Sequence, residues 1–234
     1  MRLSGTRALV PGASRGLGRA VAEAYAAEGA QVAVTATDLM HLDSVVRVCE
    51  AAGTPVHPFA LDLSDASAPS RVGAAILARL GGLDVLVNNA GLLGVRAPLA
   101  ESPPDVFERV LAVSVVGPLR LLQAVLPGMT DGGAIVNVTS GAAGRPGWGA
   151  YGVSRLAING MTGMLRSELE DRRIRVMAVN PGPARTSMRA EAYPDEDPQT
   201  VPSPGSLVGP FMAAAEGQDL GAEVVEASQW AGSA

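Results

Sequence analysis

The sequence is poor in several features that would place it in other classes of protein. It has one cysteine in 234 residues, so no internal disulfide can form, which agrees with a reducing, cytoplasmic location. No basic run occurs and the net charge is -5, which disfavours nucleic acid and anionic membranes as partners. No stretch approaches the roughly 18 consecutive apolar residues of a membrane span. Met1–Leu9 also lacks the charged-then-apolar pattern of a secretion signal.

Metal ligands are equally scarce. The two histidines, His41 and His57, lie far along the chain from other candidate ligands, so we expect no metal site. The lone Cys49 falls in an apolar helical pattern with Val45, Val46 and Val48, which predicts a buried thiol.

Short apolar runs alternate with segments of helical spacing along the whole chain. The runs are continuous rather than alternating, which indicates strands buried on both faces of a parallel sheet covered by helices on both sides. We find no linker and no repeat, so one α/β domain over residues 1–234 is expected. The predicted strands are Ala8–Val10, Val32–Val34, Val56–Leu61, Val85–Val87, Ala134–Val138, Val176–Val179 and Leu220–Glu226, and the predicted helices are Leu17–Glu28, Val72–Leu80, Val106–Leu126 and Leu156–Glu170.

A glycine-rich segment, Gly12–Gly18, lies between the first strand and the first helix. Glycines there allow a tight turn that approaches a diphosphate, and the helix N-terminus adds unpaired N–H groups and a partial positive charge. The alternative is an ordinary strand-to-helix turn. The segment therefore indicates a dinucleotide site with moderate specificity.

The end of the second strand bears on the choice of cofactor. NAD usually meets an acid at this point, but Thr35 and Ala36 are not acidic. Arg15, with Thr37 as a hydroxyl donor, is placed to meet a 2′-phosphate, so NADP is favoured over NAD. Asp38 argues for NAD, and Arg15 has the alternative role of a solvated loop charge.

Two further strand ends carry polar side chains. Asp62 follows the third strand, where its carboxylate either accepts from an adenine amino group or caps the next helix. Asn88–Gly91 follows the fourth strand, and its two amides suit a turn that hydrogen-bonds the neighbouring loop.

The segment from Ser140 to Arg155 holds the candidate catalytic groups. Tyr151 and Arg155 are four residues apart and share one face of a helix. Because a permanent cation favours the ionised phenol, Tyr151 is a candidate acid and base. Ser140 is a candidate hydroxyl donor, with Thr139 as the fallback; the alternative is that Ser140 only ends the fifth strand.

These motifs occur in the order and spacing of the short-chain dehydrogenase/reductase family, which the sequence resembles from Leu9 to about Val225. The family motifs are Gly12-x-x-x-Gly16-x-Gly18, Asn88-Asn89-Ala90-Gly91, Ser140, Tyr151 and Asn180-Pro181-Gly182. The resemblance implies a Rossmann-like, doubly wound sheet of about seven parallel strands, a nicotinamide cofactor, and a homotetramer or homodimer. It implies Ser140, Tyr151, Arg155 and Ser114 as catalytic residues. The implied cofactor-binding residues are Gly12, Ser14, Arg15, Gly16, Leu17, Gly18, Thr37, Asp62, Leu63, Asn89, Ala90, Gly91, Tyr151, Arg155, Pro181, Gly182 and Thr186.

Three positions depart from the family pattern. Pro11 replaces a threonine whose N–H and hydroxyl would tie the glycine turn to Asn88–Gly91, so we expect that tie to be lost. Ser114 stands in place of an asparagine that helps to hold a proton-relaying water. Arg155 replaces a lysine; it can supply the positive charge, but a guanidinium does not release its proton at working pH.

The resemblance implies interconversion of a carbonyl and an alcohol, with Tyr151 as acid and base. The alternative is a protein that binds the cofactor but is redox-neutral or non-catalytic, because of Arg155, Ser114 and Pro11. An acidic, proline-rich segment near residues 185–210 is expected to form a lid. An apolar substrate pocket is suggested, with ordinary packing as the equal alternative, by Leu92, Leu93, Val95, Trp148 and Met188. The last three residues, 232–234, are expected to fray.

Overall fold

Seven parallel strands form one sheet in the order β3-β2-β1-β4-β5-β6-β7. The structure is a computed structural model, and it describes residues 1–221 and 224–230. The strands are β1 Arg7–Pro11, β2 Gln31–Ala36, β3 Val56–Ala60, β4 Leu83–Asn88, β5 Met129–Val138, β6 Arg175–Asn180 and β7 Val224–Glu226. The helices are α1 Gly16–Ala27, α2 Asp43–Ala51, α3 Ala68–Leu80, α4 Pro104–Leu111, α5 Gly117–Val125, α6 Gly149–Glu168, α7 Ser187–Ala192 and α8 Gly209–Ala215.

Each face of the sheet is covered by its own apolar cluster. On one face, Tyr25 of α1, Cys49 of α2 and Phe211 of α8 are buried with Val10 and Val34 of the sheet. The opposite cluster brings Ile76 of α3 and Leu121 of α5 onto the sheet residues Leu9, Ala33 and Leu86. Burial on both faces explains why the strands read as continuous apolar runs. The predicted doubly wound α/β fold is confirmed.

The long helix after β4 is interrupted by one wide turn. α4 continues through a π-helical turn, Ala112–Val116, into α5, so the predicted helix Val106–Leu126 is present with an irregular centre. By length and composition alone, Pro104–Gly128 is apolar enough to cross a membrane, although charged residues interrupt it. Its side chains Val110, Leu121 and Val125 are buried in the protein interior, as in a core helix.

The last strand is shorter than predicted. β7 covers Val224–Glu226 and pairs with β6, whereas the pattern predicted Leu220–Glu226. Residues 222 and 223 lie outside the described residues, and so does the terminal segment 232–234 that was expected to fray. Cys49 is buried as predicted, and burial raises the pKa of its thiol to about 11.

An ionic cluster joins three strands near the amino-terminal edge of the sheet. The Arg7 backbone N–H and Nε donate to Asp84 Oδ2 at 2.8 and 2.9 Å, and Nη2 donates to Asp84 Oδ1 at 2.8 Å. Thr130 of β5 donates to the same carboxylate at 2.7 Å. Burial would raise the pKa of Asp84, but hydrogen bonds from Arg7 and Thr130 outweigh it and hold that pKa below its usual range. The opposite edge, where the strands end, carries the cavity described next.

Candidate active site

A cavity of about 610 Å³ runs along the carboxyl ends of the strands. Its lining includes every residue predicted to be catalytic or to bind the cofactor except Gly18 and Ser114, and Val95, suggested for the substrate pocket, does not line it either. Those lining residues are Gly12, Ser14, Arg15, Gly16, Leu17, Thr37, Asp62, Leu63, Asn89, Ala90, Gly91, Ser140, Tyr151, Arg155, Pro181, Gly182 and Thr186. Residues from six loops thus meet at one edge, because parallel strands all end there.

The glycine turn is held against the neighbouring strands by its backbone. Gly12, at φ +70°, donates its N–H to the Thr35 carbonyl at 2.9 Å. A Cβ on Gly12 would lie 2.9 Å from the Ala90 Cα, so a side chain does not fit there. Gly18 was predicted to bind the cofactor, but it does not line the cavity. A Cβ there would lie 2.3 Å from Asn89 Nδ2 and 2.5 Å from the Gly12 carbonyl oxygen. Its role is to let α1 approach the turn closely.

Pro11 lacks the N–H and hydroxyl of the expected tie, but another hydrogen bond takes its place. Asn89 Nδ2 donates to the carbonyl oxygens of Pro11 and Gly12, at 3.1 and 3.0 Å. Proline lacks an N–H but keeps its carbonyl, so the bond runs from the Asn89 side chain to the turn. The turn and the segment after β4 therefore remain joined.

Asp38 follows the end of β2 and is not among the residues that line the cavity. Its Oδ1 accepts from the Met40 N–H at 2.9 Å and caps the short turn that follows. Thr37 and Arg15 line the cavity, and so does His41. One oxygen of the carboxylate that argued for NAD is thus used in a local turn.

Asp62 lies on the cavity wall after β3. Its Oδ1 accepts from both the backbone N–H and the hydroxyl of Ser64, at 2.8 and 2.6 Å. The start of α3 is served instead by Asp65, whose Oδ1 accepts from the Ser67 and Ala68 N–H groups. The helix cap considered for Asp62 is therefore provided by Asp65.

Ser140 and Tyr151 line the cavity together, despite the short loop between them. Ser140 Oγ accepts from the Ala142 N–H at 3.1 Å. Thr139 also lines the cavity, and its Oγ1 donates to the Arg155 carbonyl at 3.5 Å. Trp148 packs beside Tyr151 with ring centroids 5.8 Å apart.

Asn180 joins the loops after β5 and β6. Its Oδ1 accepts from the N–H groups of Gly141 and Gly182, at 3.2 and 3.1 Å. The loop that carries Ser140 is thereby fixed relative to the Pro181–Thr186 segment.

Arg155 is a buried cation, only 3% exposed. Its Nη1 donates to the Val138 carbonyl at 2.8 Å, and its guanidinium carbon lies 4.9 Å from the centre of the Tyr151 ring. Its Nε is buried and makes no hydrogen bond within the described residues. In residues 1–221 and 224–230, no carboxylate forms an ion pair with Arg155. The guanidinium is thus held by a backbone carbonyl beside the Tyr151 ring.

Ser114 is buried in the π-helical turn, and the structure does not place it on the cavity wall. Its Oγ accepts from the Leu92 N–H at 3.1 Å. Its contact is therefore with the loop after β4, and the predicted relay position does not face the cavity.

The part of the cavity around Tyr151 is apolar. Leu93, Ala142, Tyr151 and Ala192 form a buried cluster. The partly buried side chains packed against this cluster are Trp148, Met188 and Tyr193. Met188 and Ala192 belong to α7, within the segment predicted as a lid.

Two arginines connect α7 to the rest of the site. The Arg96 guanidinium carbon lies 4.4 Å from the Trp148 ring centre and 4.7 Å from that of Tyr193, and Arg96 donates to the Ala192 carbonyl. Arg189 lies 3.7 Å from the Tyr193 ring centre and pairs with both oxygens of Glu196. Hydrogen bonds from Arg189 hold the pKa of the Glu196 carboxyl below its usual range.

Sequence reasoning missed several lining residues. His41, Arg109 and Val113 come from helical segments, and Arg189 and Tyr193 from the segment predicted as a lid. Arg109 and Val113 could have been predicted as neighbours, because residues four apart lie on one face of a helix. No sequence pattern pointed to His41, because its position depends on the turn that Asp38 caps. The residues described, 1–221 and 224–230, hold no cluster of three acidic, histidine or cysteine side chains suited to a metal ion.

A parallel sheet that turns through glycines into a helix, with a cavity along its carboxyl edge, defines a dinucleotide-binding α/β protein. The family model for short chain dehydrogenase matches residues 6–197. The chain belongs to the short-chain dehydrogenase/reductase family of oxidoreductases.

Individual relatives agree with this assignment. The chain is 38% identical over 211 residues to the oxidoreductase YciK of Escherichia coli K12, covering 87% of this chain and 83% of the relative. It is 36% identical over 205 residues to the 3-oxoacyl-[acyl-carrier-protein] reductase FabG of Thermotoga maritima, covering 86% and 82%. A Shigella flexneri short chain dehydrogenase complexed with NADP superposes with a TM-score of 0.89 at 33% identity, covering 96% of this chain and 98% of that one. An Escherichia coli CFT073 relative complexed with NADPH gives 0.86 at 33% identity, covering 96% and 97%.

Proposed function

We propose that this chain is an NADP-dependent oxidoreductase that interconverts a carbonyl and an alcohol, with Tyr151 as acid and base. The observation that carries the proposal is the meeting of Ser140, Tyr151 and Arg155 in the cavity that also contains the glycine turn. A proton donor, a hydroxyl and a fixed cation therefore adjoin a dinucleotide site.

The residues present fit a dinucleotide. No side chain caps the N-terminus of α1, so its first N–H groups are left for a phosphate. The glycines at 12 and 16 have positive φ and keep side chains out of the turn. When bound there, a reduced nicotinamide supplies the hydride for a carbonyl carbon.

The preference for NADP rests on the charges at the end of β2. Arg15, Thr37 and His41 line this part of the cavity, whereas Asp38 does not, and its Oδ1 accepts from the Met40 N–H. A 2′-phosphate would meet donors there, while a bare ribose would lack its usual carboxylate partner. Two structural relatives complexed with NADP or NADPH support the same choice.

The chain's own groups handle the proton. The Tyr151 hydroxyl gives its proton to the carbonyl oxygen of the substrate. Ser140 Oγ already accepts from the Ala142 N–H, so its own hydrogen can be donated to that same oxygen. Arg155 places a positive charge beside the Tyr151 ring, which stabilises the tyrosinate that remains.

The test compares two Tyr→Phe variants on NADPH and a panel of apolar ketones and aldehydes. Tyr151→Phe should lower kcat at least about 100-fold, the usual contribution of an acid or base, while NADPH binding is retained. Tyr25→Phe removes a hydroxyl that donates to the Phe211 carbonyl outside the cavity, and kcat should be unchanged. Equal activity in both variants would refute the role of Tyr151.

A second candidate is a cofactor-binding protein without redox turnover. It is favoured by one observation: Ser114 is not among the residues that line the cavity, and Arg155, held by the Val138 carbonyl, carries a guanidinium that does not release its proton. This reading predicts that NADPH binds tightly but that its absorbance does not change with any carbonyl or alcohol in the panel.

We propose further that residues 185–210 are the lid of this single domain and that the substrate is a small, apolar carbonyl or alcohol. The lid residues Met188 and Tyr193 extend the apolar cluster around Tyr151. Its position is fixed by Arg96 and by the Arg189–Glu196 pair.

We also propose that the protein works in the cytoplasm as a homodimer or homotetramer. Leu156 and Met164 are exposed on one side of α6, and Val116 is exposed on the neighbouring helix. Large apolar side chains exposed on adjacent helices suit burial against a second copy.

A further inference from the structure

The space around the Arg155 guanidinium is set by two other residues. A Cβ built on Gly91 would lie 2.1 Å from Arg155 Nη2 and 3.3 Å from Ser114 Oγ. The guanidinium therefore occupies the volume that a side chain at position 91 would need. Ser114 borders the same volume from the π-helical turn.

Arg155 differs from the other arginines of the chain in how it is packed. All 18 basic residues of the chain are arginine and none is lysine, so an arginine at position 155 carries little information by itself. What distinguishes Arg155 is that it is buried and closely surrounded, whereas an exposed arginine adapts to any neighbour.

Ser114 is small enough to leave room for the longer side chain. Its single oxygen is engaged by the Leu92 N–H, and the residue is 1% exposed. An asparagine would place two further heavy atoms in this closed region, and overfilling a packed interior forces neighbours to move. A lysine at 155 would lack the second guanidinium nitrogen and would leave that volume empty.

We infer that Gly91 and Ser114 are positioning residues for Arg155, and that positions 114 and 155 function only as a matched pair. In this chain the pair is a small hydroxyl with a guanidinium, and the packing predicts that a larger side chain at 114 fits only beside a shorter one at 155. The inference rests on the proposed function, since Arg155 matters through the cofactor and Tyr151, but its test does not require turnover.

The experiment is a double-mutant cycle on the full chain, read by NADPH affinity and by the midpoint of thermal unfolding. Ser114→Asn and Arg155→Lys should each weaken NADPH binding about tenfold. The double variant should return to within about threefold of the natural chain, and its unfolding midpoint should recover as well. Independent sites would instead give a loss of about 100-fold in the double variant, which would overturn the inference.

Two controls keep the result interpretable. Arg175→Lys changes a distant arginine that donates to the Ala214 and Gln218 carbonyls, so its effect should simply multiply with that of Ser114→Asn. Gly91→Ala forms a second cycle, in which the alanine should be tolerated better beside Arg155→Lys than beside arginine.

The readouts separate the two hypotheses. Rescue of NADPH affinity without any carbonyl reduction would support the matched pair and refute the proposed activity. Single variants with unchanged affinity and unfolding would show that the space is not limiting and would overturn the pairing. If Ser114→Asn does not fold alone but folds together with Arg155→Lys, the pairing is supported.

Discussion

The sharpest prediction on the lid concerns Arg96, which joins α7 to the loop before α6. Arg96→Ala removes two contacts with the aromatic rings of Trp148 and Tyr193 and a hydrogen bond to the Ala192 carbonyl. Exposed cation–π contacts contribute about 0.5 kcal/mol each, and a charged hydrogen bond about 1.5 kcal/mol at its lower limit. The sum of roughly 2.5 kcal/mol is an upper limit, because Arg96 is solvent-exposed and the terms are not additive.

We therefore expect KM for the carbonyl substrate to rise about tenfold to 50-fold. The contacts that hold the lid closed are lost in the variant, so substrate binding must supply that free energy. The second assay is limited trypsin digestion, which needs no turnover. The lid contains Arg185 and Arg189, and cleavage after them should be faster in Arg96→Ala than in the natural chain.

Two further variants test whether the lid contact depends on the Arg96 guanidinium. Arg96→Lys keeps the charge but loses the planar group that stacks between two rings, so it should fall between the natural chain and alanine. Arg166→Ala, at an exposed position of α6, should change neither KM nor cleavage after the lid arginines. The lid contact is refuted if Arg96→Ala leaves both measurements at the values of the natural chain.

Three further predictions follow from other regions. Arg15→Ala should weaken NADPH about tenfold and leave NADH nearly unchanged in parallel titrations, because only the former carries a 2′-phosphate; an equal loss for both would contradict that role. Asp84→Asn should lower Tm by about 4–8 °C in calorimetry, from the loss of about 2 kcal/mol of charged hydrogen bonds with Arg7. Because the folded-state pKa of Asp84 is lowered, its contribution in the natural chain is complete above about pH 5 and is lost as pH falls below about 4, and Asp84→Asn should remove that part of the pH dependence. Met164→Glu should shift the mass in light scattering toward a monomer, whereas an unchanged mass would exclude that face of α6 as the interface.

The sheet could be predicted because its strands are buried on both faces. Val32–Val34 and Val85–Val87 are apolar without interruption, and both lie within strands of the structure. The place of the candidate site could be predicted because the strands are parallel: Asp62, Asn89 and Ser140 each follow the end of a strand and so share one edge.

The features that were not predicted depend on packing between residues far apart in the sequence. The bond from Asn89 to Pro11 joins residues 78 positions apart, and no local pattern encodes it. The π-helical turn around Ser114 interrupts a segment whose apolar spacing is ordinary. The contact of Arg96 with Ala192 likewise spans 96 positions. Each of these features depends on which loops the fold brings together, and a single sequence does not state that.

The absence of lysine gives Arg155→Lys an unusual spectroscopic property. In that variant the side chain at 155 would be the only lysine in 234 residues. Growth on nitrogen-labelled lysine would then place one magnetic label at the centre of the site. The ionisation of that ammonium could be followed directly by nuclear magnetic resonance as pH, cofactor and substrate are varied, without assigning any other signal.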